Sequence, residues 1–167
     1  DAISHHRIAD VKRLATQGSK TINEMSYGIQ PLHLAVALSQ KDSVETLLAS
    51  GASLLSKTVS GEYCTTLAIE SAGVEFTRWL LSQSDPAQRT MLIEQLKPGS
   101  DLWRFGLDGK RLQLLTQEGW KPKDATEGRF ALLQVIKDND LETTERLLAG
   151  GVELKPVPPI SQPDDFT

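Results

Sequence analysis

Little in this chain could support redox or metal chemistry. Its 167 residues include one cysteine, Cys64, which can form neither an internal disulfide nor a Cys-x-x-Cys metal site. With only three histidines beside it, zinc is not expected. His5 and His6 are neighbours, so on a helix they point about 100° apart and chelate poorly. Aromatic residues make up 5%, so a core must rest on Leu, Ile, Val and Ala, which suits stacked helices. No apolar run approaches the roughly 18 residues that span a bilayer, and no transmembrane segment is expected. Basic residues are too few to form a stripe, 18 Lys and Arg against 22 Asp and Glu. Nucleic acid and anionic membrane are therefore discounted as partners. The motifs G-x-S-x-G, H-E-x-x-H and Walker A are all missing. Cys64 has no evident base to activate it and reads as a buried structural thiol. No catalytic residue, cofactor, metal site or small-molecule substrate is expected, and the chain is not expected to be an enzyme.

What is present is ordinary in amount and regular in order. Hydrophobic residues are 39% and charged residues 24%, enough for a continuous core and unlike a disordered chain. The regularity is a repeat. Ala35, Val44, Leu47 and Gly51 stand 33 positions after Ala2, Val11, Leu14 and Gly18. Another 33 positions on stand Ala68, Thr77, Leu80 and Ser84, and Gly28 is answered by Gly61. The step Leu-x-x-x-Gly returns at Leu115 and Gly119, 35 residues after Leu80, and at Leu147 and Gly151, 32 residues later. Gly128 sits seven before Val135, as Gly28 does before Ala35. About five units result, with boundaries near 1–24, 25–57, 58–90, 91–123 and 124–154.

Each unit has an internal logic. Leu32, Ala35 and Val36 recur at helical spacing, as do Val44, Leu47 and Leu48. Ser39 to Asp42 breaks the apolar pattern, and Asp42 or Ser43 is a candidate cap for the second helix. Gly51 supplies a left-handed residue to end that helix, and the stretch Met25 to Gln30 holds a glycine suited to a tight turn. One such helix pair cannot bury both of its apolar faces alone, whereas stacked neighbours can. Gly106 to Lys110 lacks the phosphate-loop spacing and reads as the loop between the helices of the fourth unit.

The residues Gln30-Pro31-Leu32-His33-Leu34-Ala35 resemble the ankyrin signature TPLHLA, with Gln in place of Thr. Leu47 to Ala52 is similar to the LLxxGA end of the ankyrin second helix. The third unit keeps Thr66-Leu67-Ala68 and Trp79-Leu80-Leu81 but has Cys64 where proline is usual. The fifth keeps Arg146 to Gly151, and the fourth, with Leu102 to Phe105, keeps little. The resemblance covers roughly 1–154. It implies an all-α ankyrin-repeat solenoid of about five helix-turn-helix units with short hairpin loops. It also implies that His33 hydrogen-bonds loop backbone and that hairpin tips and first-helix surfaces grip a protein partner. Carried over by register, the partner-binding positions are Tyr27, Ile29, Leu38, Ser60, Glu62, Glu70, Phe105, Glu127, Arg129 and Lys137. Glu127 and Arg129 fall at hairpin positions in this register, Phe105 and Lys137 on first helices.

Divergent bacterial arrays of this kind resemble immunity proteins that neutralise secreted effectors, including lipase effectors of type VI secretion. One tailored protein partner in the periplasm is the expectation. A general scaffold or adaptor domain of a larger cytosolic protein is the alternative. The chain starts at Asp1 rather than Met, which a cleaved signal segment or a trimmed boundary explains equally well. The polar residues near His5 and from Glu142 to Arg146 suit the two ends of the array. Of the tryptophans, Trp79 is expected in the core, Trp120 over a gap left by the irregular repeat, and one of Trp103 and Phe105 facing outward. After Leu154 the chain turns proline-rich, and 155–167 is expected to lie as a frayed tail or to pack as a strap.

Overall fold

The computed structural model describes residues 13, 22–94, 96 and 107–152. The matches at Ala2, Val11, Leu14 and Gly18, the residues Trp103 and Phe105, and the tail 155–167 lie outside them. Among the described residues there are eight α-helices and no strand, apart from two isolated β-bridges. They are α1 (Pro31–Ala37), α2 (Lys41–Ala49), α3 (Cys64–Leu67), α4 (Val74–Ser82), α5 (Pro86–Glu94), α6 (Gly109–Gln117), α7 (Ala125–Lys137) and α8 (Leu141–Ala149). The chain divides into two compact units, 1–120 and 121–167.

In the first unit, α1 and α2 form an antiparallel pair. Pro31 at the first helical turn costs no hydrogen bond there. Helix α1 ends at Ser39, which is left-handed at φ 55°. Ser39 N–H donates to Val36 O at 2.9 Å and Gln40 N–H to Ala35 O at 2.9 Å, a closure that satisfies otherwise orphaned carbonyls. The cap expected from Asp42 or Ser43 falls elsewhere. Helix α2 starts from Gln40, without a side-chain cap, and Ser43 Oγ donates instead to Gln40 Oε1 at 3.0 Å. Ser43 is buried, so its hydroxyl is spent locking the turn between the helices.

The Leu-x-x-x-Gly step has one physical meaning wherever it is described. Ala52 N–H donates to Leu47 O at 2.9 Å, Trp120 to Leu115 at 2.9 Å and Val152 to Leu147 at 3.1 Å. In each case the glycine between is left-handed, with φ 96° at Gly51, 92° at Gly119 and 91° at Gly151. A side chain would be strained there. The third unit has Ser84 instead. Its chain does not reverse into a hairpin; Asp85 caps Gln88 N–H at 2.8 Å and α5 begins at Pro86. This helix occupies the positions where the 33-residue phase would put the next hairpin.

Helix α3 (Cys64–Leu67) runs on into a π-helical turn, Ala68–Ala72, before Gly73 at φ 81° starts α4. Arg111 Nε donates to Ile69 O in that turn at 2.8 Å, tying α6 to it. Arg111 also bonds Asp108, whose carboxylate caps α6 by accepting from Arg111 N–H at 2.9 Å. Gly109 and Lys110 therefore belong to the first turn of α6, not to a loop, because Asp108 supplies a cap just before them.

The core of this unit joins the successive helix pairs α1–α2 and α3–α4. Leu32, Ala35, Val36, Val44, Leu47, Cys64, Ala68, Phe76 and Leu80 are buried together. Trp79 is half-buried against them, its ring 5.2 Å from that of Phe76, with Lys41 Nζ 5.2 Å from its centroid. Trp120 is buried. His33 links the repeats: Nδ1 accepts from Gln30 N–H at 3.0 Å and Nε2 faces Ser56 O at 3.2 Å. An acceptor at Nδ1 leaves the proton on Nε2, where it donates to the carbonyl.

In the second unit, α7 packs on α8. The turn between them repeats that of α1 and α2 at a distance of 100 residues. Asn139 is left-handed at φ 55°, Asn139 N–H donates to Ile136 O at 3.0 Å and Asp140 N–H to Val135 O at 2.9 Å. Helix α7 is six residues longer than α1 at its start, 13 against 7. Where Pro31 fixes the start of α1, the matching position is Ala131, so nothing stops the helix from reaching back. Asp124 then caps it, accepting from Thr126 N–H at 2.8 Å and Glu127 N–H at 2.9 Å. Glu127 and Arg129 consequently lie on a helix, not on a hairpin. Gly128 fits there because Val152 presses on it; a Cβ would meet Val152 Cγ1 at 2.8 Å.

The polar run 142–146 does not form the outer surface of α8 as a block. Thr143 is buried and its hydroxyl donates to Asp140 at 2.6 Å, while Glu142 and Arg146 pair one turn apart. Glu142 and Glu145 are exposed as expected, and the apolar Leu141 and Leu148 are exposed beside them.

Candidate functional site

The first hairpin is a two-residue turn. Ser26 N–H donates to Ile29 O at 2.8 Å and Ile29 N–H to Ser26 O at 3.2 Å, leaving Tyr27 and Gly28 at the tip. Both have positive φ, 54° and 82°. This turn favours Asn or Gly at its first position, and a bulky residue held there is strained. Tyr27 is nonetheless in place and wholly exposed.

The second hairpin spans Lys57 to Tyr63. Thr58 N–H donates to Glu62 O at 2.9 Å, and Lys57 Nζ lies 4.7 Å from the Tyr63 ring centroid. Its polar groups are occupied by one another. Ser60 Oγ donates to Glu62 Oε2 at 2.9 Å and lies 2.8 Å from Thr58 Oγ1. The two tips touch: Val59 N–H donates to Gly28 O at 2.9 Å. A Cβ on Gly28 would sit 2.6 Å from Val59 Cγ1, so this glycine serves both the turn and the close approach.

The structure thus brings Tyr27, Ile29, Ser60 and Glu62 onto neighbouring hairpins of the first unit. Tyr27 and Ser60 are exposed, Ile29 and Glu62 half-buried. Leu38 stands exposed at the end of α1, and Glu70 exposed on the π-helical turn. By register Glu70 matches Ala37, one residue before Leu38. Sequence reasoning missed Met25 and Val59, both exposed apolar residues of the hairpins, Val59 at 80%. Their signal was available, since each is an apolar residue beside a turn glycine or at a hairpin start.

Phe105 lies outside the described residues. In the second unit Glu127 and Arg129 are half-buried on the first turns of α7, and Lys137 is exposed on its last. Glu127 Oε2 accepts from Lys123 N–H at 2.8 Å and Arg129 Nε donates to Ala125 O at 3.2 Å. These two side chains serve the start of the helix.

Cys64 and His33 are both buried. Burial pushes the Cys64 thiol up to about 12, outweighing a weaker backbone hydrogen bond, so it is no nucleophile near neutral pH. Burial likewise holds His33 below its ordinary value, against the opposing pulls of Ser56 and Glu62. Among the described residues no helix is long and apolar enough to cross a membrane.

No curated protein matches the chain. Residues 27–59 match the family model of the ankyrin repeat, from the tip of one hairpin to the tip of the next. The match supports an ankyrin-repeat protein, and with it a protein-binding module in general.

Proposed function

We propose that this chain binds and neutralises one secreted bacterial effector, a type VI lipase effector being the favoured class, and that it does so in the periplasm. The observation that carries the reading is Tyr27. An aromatic side chain is kept fully exposed at a position whose backbone would prefer Asn or Gly. Strain retained at an exposed tip suits a binding role. Tyrosine is among the residues that most often anchor interfaces, and Val59, Met25 and Leu38 add apolar surface on the same unit. The hydrogen bonds among Ser60, Glu62 and Thr58 fix the second hairpin in advance, which lowers the ordering cost of binding. The acidic net charge of −4 suits a partner with a basic contact surface.

The test is calorimetric titration against the effector encoded beside this gene, with the effector's lipase activity as a second readout. One-to-one binding and loss of lipase activity are expected. The double variant Tyr27→Asn, Leu38→Ala should bind at least about tenfold more weakly, within the range of interface anchors. Tyr27→Asn alone should melt no lower than the parent, because Asn accepts the left-handed turn. Wild-type chain that leaves the effector free and active would refute the proposal. Undiminished affinity in the double variant would remove the assigned surface.

A further inference from the structure

The second unit carries an open stacking face. In the first unit, four residues mark the side of α1 and α2 that meets the chain beyond them. His33 Nε2 faces Ser56 O at 3.2 Å, Val36 is 0% exposed, Leu48 packs on the shared core, and Lys41 Nζ lies 5.2 Å from the ring centroid of Trp79 on α4. The residues 100 positions on are Leu133, Ile136, Leu148 and Leu141. They hold the same places on α7 and α8, whose connecting turn repeats that of α1 and α2. All four are exposed, Leu133 at 63%, Ile136 at 53%, Leu141 at 69% and Leu148 at 44%. A repeat face left to water is polar; this one presents four large aliphatic side chains together, the mark of a contact surface.

The charges on this face are sorted between its two helices. Lys137 follows Leu133 by four residues on α7, and Glu145 stands four residues after Leu141 and three before Leu148 on α8. Helical spacing puts each charge on the side of its leucines. Both are exposed, and neither makes a hydrogen bond or ion pair among the described residues. One half of the face is therefore apolar and basic, the other apolar and acidic, and such a face is complementary to itself. When a second copy is turned about a two-fold axis running along the helices, α7 of each copy lies antiparallel on α8 of the other. Lys137 and Leu141 stand level on either side of the turn 138–140. Glu145 of one copy then comes within about 6 Å, measured along the helix axis, of Lys137 of the other. The pairing occurs twice, as in every contact of this symmetry.

We infer that a second copy of this chain covers the open face of α7 and α8, each copy standing where a further helix pair would stack on the other. The inference is independent of the proposed effector. It is tested on the full chain by sedimentation equilibrium over a series of concentrations, where a single monomer–dimer equilibrium is expected. Leu133→Asp should weaken the dimer at least about tenfold, because it sets an unpaired charge among aliphatic side chains. Lys137→Glu and Glu145→Lys should each weaken it about tenfold or more, since like charges then meet twice. The two together should restore it to within about threefold of the parent, the signature of a direct pair. All three positions are exposed in the single chain, so the variants should melt with the parent at concentrations where the parent is monomeric. Should Leu133→Asp melt early, Leu133→Asn gives the same comparison. A chain that stays monomeric up to about 1 mM overturns the inference and leaves the face to another protein or to another part of its own chain. A dimer that Leu133→Asp leaves as tight as before is made elsewhere and overturns it too. Weakening in both charge variants without recovery in the double variant overturns the seating of α7 on α8.

Discussion

His33 shows how one side chain can hold two repeats together and make their union depend on pH. Its ring is buried, with Nδ1 occupied by Gln30 N–H and Nε2 pointing at Ser56 O. A second proton would have to enter at Nδ1, where a donor already sits. Burial accordingly lowers its affinity for protons below the ordinary value of 6.5. The unfolded chain then binds a proton that the folded chain refuses, so stability rises with pH across that interval. Its contribution is complete above 6.5 and is lost as pH falls through the depressed folded value. Urea melts from pH 8 to 5 should therefore show a loss of stability below 6.5 that is smaller in His33→Asn. Cys64, the first residue of α3 and directly after the second hairpin, makes a second residue-scale test. A thiol pushed up to about 12 should resist iodoacetamide while the chain is folded and react at the rate of unfolding. Mass spectrometry of timed alkylation reads this directly, and rapid labelling at neutral pH would contradict its burial.

Among the elements, α1 and α7 occupy the same place in their repeats and differ in length for a local reason. Proline at 31 fixes one start; alanine at 131 and an aspartate at 124 permit the other. Asp124→Ala would release two backbone donors at once. A loss of about 0.5–2 kcal/mol is expected, the usual worth of such a cap. Hydrogen exchange should place the loss in the first turns of α7, where Glu127 and Arg129 sit. If the amides of α7 exchange as before, the cap is not what holds that extension. The left-handed residues Ser39 and Asn139 close the first helices in the same way, and Asn is the better suited of the two. Ser39→Asn should consequently be neutral or slightly stabilising in a thermal melt.

For the molecule as a whole, stability in the first unit comes from side chains shared between successive helix pairs. Leu47 is 3% exposed within the cluster that joins α1, α2, α3 and α4. Leu47→Ala leaves a cavity there and should cost about 2–5 kcal/mol in a urea melt; less than about 1 kcal/mol would be at odds with its burial. The Tyr27 tip lies outside that cluster, so binding and stability are separable: removing Tyr27 should cost affinity without a matching loss of melting temperature. A coupled loss of both would mean that the hairpin stack carries the fold and not the contact surface.

The sequence alone determined the features that depend on near neighbours along the chain. The Leu-x-x-x-Gly steps, the tight turn at Gly28, the helix pair of 31–49 and the family likeness were legible because backbone strain and helical spacing are local. The tertiary structure decided what depends on neighbours in space. Asp42 and Ser43 looked like caps, but the core took Ser43 for the turn. Glu127 and Arg129 sat in hairpin register, but without the proline the helix ran through them. Val59 became part of the exposed tip only because Gly28 let a second hairpin approach within contact. Spacing fixes which side of a helix a residue shares with others; only packing decides whether that side meets another part of the chain or stays open to a partner.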